Sequence, residues 1–281
     1  HTGSFQPGMG RSGSNIITTS MNENKLYIIK VGGNIIDDAA KLSTFLSSFT
    51  TLKGKKILVH GGGKLATQLA ADLSIPQQMV DGRRITDAET LKLVTMVYAG
   101  LINKQVVASL NALNAPSIGL SGADGNCINA HKRVHPSIDF GFVGDVDSVN
   151  TKLILSLLDM DLNIIIAPIT QDKTGQLLNT NADTIAQEIA KAMAQHLPVT
   201  LVYSFEKKGV LQDVNDENST IPLINSALFD QLKKDKAIFA GMIPKLDNAF
   251  AALQAGVEKV IIGDATELSA LIEGKTGTAI C

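Results

Sequence analysis

The sequence is short of several features that mark other classes of protein. It has only two cysteines among 281 residues, Cys127 and Cys281. We therefore expect no disulfide framework, and we expect a reducing, cytoplasmic setting. Its formal net charge of −2 provides no broad basic surface for nucleic acid. No uninterrupted apolar run approaches the roughly 20 residues that span a bilayer. We therefore expect a small-molecule partner, without nucleic-acid or membrane binding.

The first twenty residues differ in composition from the rest of the chain. They are rich in Gly, Ser and Thr and lack the apolar segment of about 7–15 residues that a signal peptide carries. We expect residues 1–20 to be a remnant of recombinant expression and the fold to begin at Met21. The remaining length fits one large α/β unit or two lobes, since a single core rarely grows beyond about 250 residues.

Short β-branched segments alternate with amphipathic segments along the rest of the chain. Residues 26–31 and 56–60 have the pattern of buried strands, and apolar residues at helical spacing follow each of them. The strand pattern returns at residues 163–169 and 199–205. This βαβ rhythm predicts an α/β fold with an open, mostly parallel central sheet and helices on both faces.

Two segments depart from the simple rhythm. Thr86 and Glu89 form a capping box, which predicts the start of a long helix. Residues 127–146 show polar alternation with glycines, which predicts antiparallel hairpins that project from the sheet and could cover a substrate. We expect two lobes with a ligand cleft, an N-terminal lobe of residues 21–195 and a C-terminal lobe of residues 196–281.

Two glycine clusters stand directly after strands, KVGGN at residues 30–34 and HGGGK at residues 60–64. Glycines between a strand and a helix let backbone N–H groups approach a phosphate, and the helix N-terminus adds partial positive charge. Either cluster alone is equally compatible with a tight turn that binds nothing. Two clusters at neighbouring strand ends favour a phosphate site.

Three charged residues are unusual for their positions. Lys30 is the penultimate residue of an apolar strand, where its ammonium group needs an anion or an outlet to solvent. Asp183 stands before a helix, where it could cap the helix or hold a catalytic lysine. Lys245 lies at the start of a predicted helix, where its positive charge is unfavourable in the field of the helix dipole unless an anion offsets it. A shared phosphoryl group would explain all three, so we expect their side chains to meet in one cleft.

An ordered set of motifs carries a resemblance to a known family. The motifs are, in chain order, IIKVGGN, LVHGGGK, DGRRIT, GLSGADG, GFVGDV, NTNAD and GMIPK. Their order and spacing, from Met21 to the end of the chain, resemble those of the N-acetylglutamate kinases in the amino-acid kinase superfamily. The resemblance implies ATP-dependent phosphorylation of the side-chain carboxylate of N-acetyl-L-glutamate, in arginine biosynthesis.

The resemblance also implies roles for residues in these motifs. Lys30 and Lys245 would stabilise the transferring phosphoryl group, and Asp183 would orient both lysines. The backbone amides of Gly33 and Gly62 would donate to phosphoryl oxygens. The acylated amino acid would be held in the N-terminal lobe by Gly62, Gly63, Arg84 and Asn179. A carboxylate nucleophile with a pKa of about 4.3 is already ionised at neutral pH, so no general base is assigned.

The same resemblance implies that ATP binds the C-terminal lobe. The candidate nucleotide-binding residues lie in two stretches of that lobe: Ser204, Lys208, Gly209, Leu211, Ala237, Ile238 and Phe239. The family usually has an Asp-containing loop at the first stretch, and Ser204 and Phe205 depart from that pattern. Mg²⁺ would be held mainly by the ATP phosphates and water, and no residue is assigned as a metal ligand.

Several alternatives stay open at this point. The acyl group could be succinyl if the hairpins leave room, and the chain could be another member of the superfamily or a nucleotide-dependent sensor without catalysis. A zinc site at Cys127, His131 and His135 would lack a recognisable fourth ligand. A dinucleotide-dependent oxidoreductase would need G-x-G-x-x-G after the first strand, and KVGGNIID does not have that spacing.

The oligomeric state is the last expectation. Leu93, Val97 and Leu101 lie on one side of the long predicted helix and favour an isologous contact between two copies. Family members that arginine inhibits carry an additional N-terminal helix and a characteristic C-terminal stretch. Residues before Met21 show no helical period, and the C-terminal stretch lacks the expected histidine. We therefore expect a simple homodimer that arginine does not inhibit.

Overall fold

The computed structural model describes residues 24–80, 83–204, 206–213, 215–235, 237–238 and 242–281. The expected tail of residues 1–20 and the candidate nucleotide residue Phe239 lie outside the described residues.

Strands occupy the β-branched segments and several shorter segments. They are β1 (Leu26–Val31), β2 (Lys55–His60), β3 (Gln78–Val80), β4 (Arg83–Ile85), β5 (Ser117–Leu120), β6 (Ile128–Lys132), β7 (Val143–Val149), β8 (Asn163–Ile166), β9 (Ile169–Gln171), β10 (Leu177–Thr180), β11 (Val199–Ser204), β12 (Leu223–Ile224), β13 (Lys259–Gly263) and β14 (Thr278–Ile280).

The helices connect these strands. They are α1 (Gly33–Ile36), α2 (Ala39–Thr51), α3 (Gly63–Asp72), α4 (Ala88–Ala112), α5 (Thr151–Asp159), α6 (Ala182–Met193), α7 (Ser226–Lys234), α8 (Ile243–Gln254) and α9 (Leu268–Ile272).

Eight strands form one sheet in the order β12-β14-β13-β11-β1-β2-β8-β5. Neighbouring strands are parallel throughout except for β13 and β14, which run antiparallel. The predicted open, mostly parallel sheet is confirmed. This single sheet runs through both expected lobes, whose border falls between the neighbouring strands β1 and β11, so the division into two lobes stays a prediction.

The core consists of two apolar layers, one on each face of the sheet. Alternate side chains of β1 enter different layers, with Leu26 and Ile28 on one face and Ile29 and Val31 on the other. Helices α5 to α8 cover the first face, while α2, α3, α4 and α9 cover the second. This two-sided cover is the expected arrangement for buried parallel strands, and it leaves the carboxyl ends of β1, β2 and β11 free to build a site.

A small second β structure stands beside the main sheet. Strands β6, β7, β9 and β10 close into a four-stranded ring, in which β6 and β7 are antiparallel. This pair confirms the antiparallel hairpin predicted over residues 127–146. The ring contacts the start of α4, because Phe142 N–H donates to Thr86 O and Thr86 N–H donates to Phe140 O. It therefore holds β10 next to the loop that precedes α4.

The long helix α4 begins at Ala88, one residue later than a cap at Thr86 would place it. Asp87, not Thr86, is the cap, and its carboxylate accepts from Thr90 N–H at 2.8 Å. The Thr86 hydroxyl instead donates to Arg84 O at 3.1 Å, so the predicted capping box is wrong. Asp outranks Thr as a cap, and Thr86 is engaged by the neighbouring ring.

A π-helical segment, Met96–Ile102, interrupts α4 and changes which side chains face outward. Leu93 and Val97 are buried in their own chain, whereas Leu101 is 46% exposed. The i→i+5 pattern underwinds the helix, so Leu101 turns away from the stripe that contains the other two. The prediction that Leu93 and Val97 contact a second copy of the chain is therefore wrong, because both side chains are buried.

Helix α4 also meets the length and composition criteria for crossing a bilayer, although it contains no uninterrupted apolar run of that length. Its apolar residues are interrupted by Lys92, Asn103 and Lys104, so no continuous run is visible in the sequence. In the fold, 44% of its most apolar window is buried. Core helices of soluble proteins satisfy the same criteria, so the finding carries no assignment to a membrane.

Candidate active site

Three side chains that are far apart in sequence meet at one carboxylate. Lys30 Nζ, from the end of β1, lies 2.7 Å from Asp183 Oδ1 in the first turn of α6. Lys245 Nζ, from the first turn of α8, donates to Asp183 Oδ2 at 2.9 Å. The structure thus brings together the three charged residues expected to share a cleft, and it provides the anion that both lysines needed.

Asp183 is free to contact the lysines because another residue caps α6. The Asn181 side chain accepts from Thr184 N–H at 3.1 Å, so the alternative in which Asp183 acts as the cap does not hold. Burial raises the pKa of Asp183, but the ammonium groups of Lys30 and Lys245 outweigh burial and lower the pKa to about 2. The carboxylate is therefore ionised at neutral pH.

The two glycine clusters lie side by side because they follow neighbouring parallel strands. Val31 pairs with His60 in the register of β1 and β2, and Gly61 N–H donates to Val31 O at 2.9 Å. Gly62 has φ +152°, a conformation open mainly to glycine, and it precedes α3 without a side-chain cap. A Cβ on Gly33 would meet the Asp37 carboxylate at 2.6 Å. Gly62 thus needs glycine for its backbone conformation, whereas a side chain at Gly33 would require Asp37 to move.

A cleft of about 170 Å³ opens beside these loops, and it contains the residues predicted to hold the acylated amino acid. Gly62, Gly63, Arg84 and Asn179 all line it, together with Asn181, two residues before Asp183. The structure therefore brings the predicted substrate residues together, next to the group of charged residues.

Hydrogen bonds to its neighbours orient the buried Arg84 guanidinium. One Nη2–H donates to Gly63 O at 3.0 Å and another to Thr67 Oγ1 at 2.8 Å, while Nη1 donates to Gln77 Oε1. Asn179 Nδ2 donates to Thr86 Oγ1 at 3.0 Å. This bond ties Asn179 on β10 to the residue that follows β4, the strand that carries Arg84.

The side chains in the cleft that were not identified from the sequence include Arg83, Tyr98 and Arg133. Arg133 follows β6 and pairs with both carboxylate oxygens of Asp145 on β7, and its guanidinium lies 5.7 Å from the centroid of the Phe140 ring. The adjacent arginine in the motif DGRRIT was a visible signal for Arg83. Nothing in the local pattern indicates Arg133, because only the folding of the hairpin brings it to the cleft.

The candidate nucleotide residues do not line this cleft within the described part of the chain. Ser204 is buried at the end of β11, and Gly209 packs so closely on Thr278 that a Cβ would meet its hydroxyl at 2.6 Å. Lys208 is exposed, and Leu211 forms a bridge with Thr220. Ala237 and Ile238 precede α8, and Ile238 is buried in the core. Their assignment to the nucleotide stays a prediction.

A second hollow is lined by Gly33 and by charged residues. It includes Asp37, Lys64, Glu206 and Asp264, which all follow carboxyl ends of sheet strands or the helices after them. Glu206 comes two residues after Ser204 and was not among the sequence candidates. Burial raises the pKa of Asp37, and Lys64 opposes that change.

The zinc alternative finds no support in the described ranges, which contain no group of three or more potential side-chain ligands. Cys127 is buried, and burial raises its thiol pKa to about 12. His131 Nδ1 instead lies 2.6 Å from an Asp147 carboxylate oxygen.

Comparison with known proteins supports the resemblance carried by the motifs. A family model described as the amino acid kinase family matches residues 25–264. The acetylglutamate kinase of Parabacteroides distasonis is 53% identical over 244 residues, which cover 87% of this chain and 96% of that protein. That of Cytophaga hutchinsonii is 54% identical over 254 residues, which cover 90% and 96% of the two chains.

Solved structures share the fold. The protein smu.665 from Streptococcus mutans has a TM-score of 0.74 at 27% identity, over 92% of this chain and 98% of that one. An N-acetylglutamate synthase from Neisseria gonorrhoeae, complexed with coenzyme A and N-acetyl-glutamate, has a TM-score of 0.79 at 19% identity, over 95% and 61% of the chains. This second likeness shows the fold alone. By the family model and by its curated relatives, the chain belongs to the amino acid kinase family and, within it, to the acetylglutamate kinases.

Proposed function

We propose that this chain transfers the γ-phosphoryl group of ATP to the side-chain carboxylate of N-acetyl-L-glutamate, forming an acyl phosphate in arginine biosynthesis. The observation that carries the proposal is the convergence of Lys30, Asp183 and Lys245 beside the cleft that contains Arg84. The relatives supply the identity of the acyl amino acid, and the geometry supplies the positive charge that phosphoryl transfer requires.

The lysines and the glycine amides would act on the transferring group. Phosphoryl transfer needs in-line positioning and stabilisation of charge on the equatorial oxygens more than it needs proton transfer. The ammonium groups of Lys30 and Lys245 stand on the two oxygens of Asp183, which holds them in place. Because Asp183 is ionised and the substrate carboxylate is as well, neither donates a proton. The N–H groups of Gly33 and Gly62 add neutral donors to phosphoryl oxygens.

The α-carboxylate of the substrate would bind Arg84. Its guanidinium already uses both Nη2–H groups and one Nη1–H on Gly63, Thr67 and Gln77, so the contact would be a charge-assisted bond from a fixed cation and not a bidentate pair. Its bonds to Gly63 and Thr67 orient it before the substrate arrives, so little side-chain entropy is lost on binding. Asn179 supplies an amide that suits the N–H and C=O of the acyl group.

ATP would bind the C-terminal lobe, residues 196–281, and the acyl amino acid the N-terminal lobe, residues 21–195. The described residues present no cluster of side chains able to hold an ion by themselves. We propose that Mg²⁺ is held mainly by ATP phosphates and water, as this ion commonly is. It would neutralise phosphate charge during transfer.

A cytoplasmic homodimer is the assembly that we propose. Met96 and Leu101 are 59% and 46% exposed on α4, where two copies related by a twofold axis could cover them. Light scattering should give twice the chain mass, with or without arginine. An activity assay should show no loss of turnover when arginine is added. A monomer or a hexamer would contradict this proposal.

N-succinyl-L-glutamate is a second candidate substrate, favoured by the two additional arginines in the cleft. Arg83 and Arg133 line the same walls as Arg84, and a succinyl group ends in a carboxylate that an acetyl group lacks. Arg133 is already paired with Asp145, which leaves the exposed Arg83 as the stronger partner.

Release of ADP with each acyl-glutamate tests both candidates. We expect N-acetyl-L-glutamate to have the higher kcat/KM. A higher value for the succinyl compound, lost selectively in Arg83→Gln, would establish the second candidate. Absence of ADP release with either compound would contradict the proposed function.

A further inference from the structure

His60 is a buried titratable side chain to which the proposed reaction assigns no role. It is the last residue of β2, is 0% exposed, and stands immediately before the glycines that line the cleft. Burial is the main cause that lowers its pKa to about 4, with a further contribution from Lys104 and an opposing one from its bond to Gly61. The ring is therefore neutral at physiological pH.

The hydrogen bonds of the ring define which nitrogen carries the proton. Nε2 lies 3.3 Å from Asn103 Nδ2, and Nδ1 lies 2.8 Å from Gly61 O. An amide nitrogen only donates and a carbonyl oxygen only accepts. Nε2 must then accept from Asn103, so the proton is on Nδ1, which donates to Gly61 O.

The orientation of the Asn103 amide is determined by its other contacts. Its Oδ1 accepts from Lys104 Nζ at 3.1 Å, and its Nδ2 also donates to Ile165 O at 3.0 Å. Asn103 is buried and directly follows the π-helical segment Met96–Ile102. Ile102 from that segment contacts the Cα side of Gly62. One stretch of α4 thus supports both His60 and the glycine loop.

The bond to Gly61 O has a consequence for the next amide. In a trans peptide the C=O and the following N–H point in opposite directions. The bond to Nδ1 directs the Gly61 carbonyl at the His60 ring, so the Gly62 N–H points away from that ring, and Gly62 itself lines the cleft. Among the described residues no acceptor takes this N–H. Glycines on both sides give the peptide little intrinsic resistance to flipping.

We propose that His60 is a positioning residue that locks the Gly61–Gly62 peptide with its N–H directed at the phosphoryl group, and that Asn103 selects the tautomer that makes this lock. The proposal rests on the proposed function for the identity of the group that Gly62 contacts. The lock itself, however, is a property of the folded chain without substrate.

Three variants at position 60 separate the lock from simple packing. Asn places a donor near the position of Nδ1, Gln places its amide near the position of Nε2, and Leu fills space without a donor. We expect His60→Asn to keep kcat within about 3-fold of wild type, whereas His60→Gln and His60→Leu lose at least about 10-fold, up to the about 100–1,000-fold seen when one oxyanion donor is removed outright. KM for ATP should change little, because ground-state binding of the nucleotide does not need this donor.

Nitrogen NMR of the imidazole measures the tautomer directly and needs no turnover. Wild type should show a protonated Nδ1, and Asn103→Leu should shift His60 toward a tautomeric mixture and lower kcat. An Nε2-protonated ring in wild type would overturn the proposal, as would equal kcat in the Asn, Gln and Leu variants. If the wild-type chain has the expected tautomer but no activity, the proposed function fails while the lock stands. Thermal unfolding identifies any variant that does not fold. If His60→Leu does not fold, the comparison of kcat between His60→Asn and His60→Gln still tests the lock.

Discussion

Asp183 is the residue on which the proposed phosphoryl site depends most, because it contacts both lysines. Asp183→Asn keeps the shape of the side chain and removes its charge. Lys30 and Lys245 then lose an anion at 2.7 Å and 2.9 Å, and their ammonium groups repel each other where water screens them poorly. We expect the variant to be less stable and much less active.

The expected loss of stability follows from the pKa of Asp183. Its pKa falls from 3.8 to about 2 because the two lysines outweigh the opposing effect of burial. At about 1.4 kcal/mol per pKa unit, the charge contributes about 2 kcal/mol to the free energy of unfolding. Since the pKa is lower in the folded state, this contribution is complete above about pH 4 and is lost as the pH falls toward about 2.

Urea unfolding of the wild type and Asp183→Asn between about pH 7 and about pH 3 measures this contribution. The difference should be about 2 kcal/mol at neutral pH and should shrink below about pH 4. Asp159→Asn is the matched control, because Asp159 is 70% exposed and its pair with Lys55 should contribute less than about 1 kcal/mol. We also expect kcat of Asp183→Asn to fall by at least about 100-fold. Unchanged kcat, or equal stability losses in the two variants, would refute the reasoning.

Three further changes test separate parts of the site and the core. Lys245→Ala should lower kcat far more than it raises KM for the acyl-glutamate, whereas Arg84→Ala should chiefly raise that KM. Steady-state kinetics distinguish the two patterns. The reversed pattern would mean that the roles of Lys245 and Arg84 are exchanged. Gly62→Ala places a Cβ against Ile102 at φ +152° and should cost about 1–3 kcal/mol in urea unfolding. Leu246→Ala empties a fully buried position and should cost about 2–5 kcal/mol, with KM unchanged if the cleft keeps its shape.

The sequence was informative wherever a local pattern has a single physical outcome. Buried strands of β-branched residues form a parallel sheet, and glycines after two such strands meet at one edge because the strands are neighbours. A lysine in an apolar strand and a lysine at a helix start were predicted to meet Asp183 in one cleft, and both contact its carboxylate. These inferences depended on the chemistry of each residue more than on distant contacts.

Other features depend on contacts that no local pattern reveals. Arg133 reaches the cleft only because β6 and β7 fold back from the sheet. The π-helical segment of α4 changes the phase of its apolar residues, so helical spacing misplaced Leu93 and Val97 on the surface. Asp87 caps α4 in place of Thr86, because Thr86 is bonded to Asn179. Asn181 caps α6 in place of Asp183, because Asp183 is bonded to Lys245.

Trapping of the acyl phosphate product is the measurement that tests the central claim most directly. The purified chain is incubated with ATP, Mg²⁺, N-acetyl-L-glutamate and hydroxylamine, which converts an acyl phosphate to a stable hydroxamate. The result expected is one hydroxamate per ADP released, dependent on the acyl-glutamate and nearly abolished in Asp183→Asn. ADP release without hydroxamate, or hydroxamate formation that persists in Asp183→Asn, would contradict the assignment of this site to phosphoryl transfer onto a carboxylate.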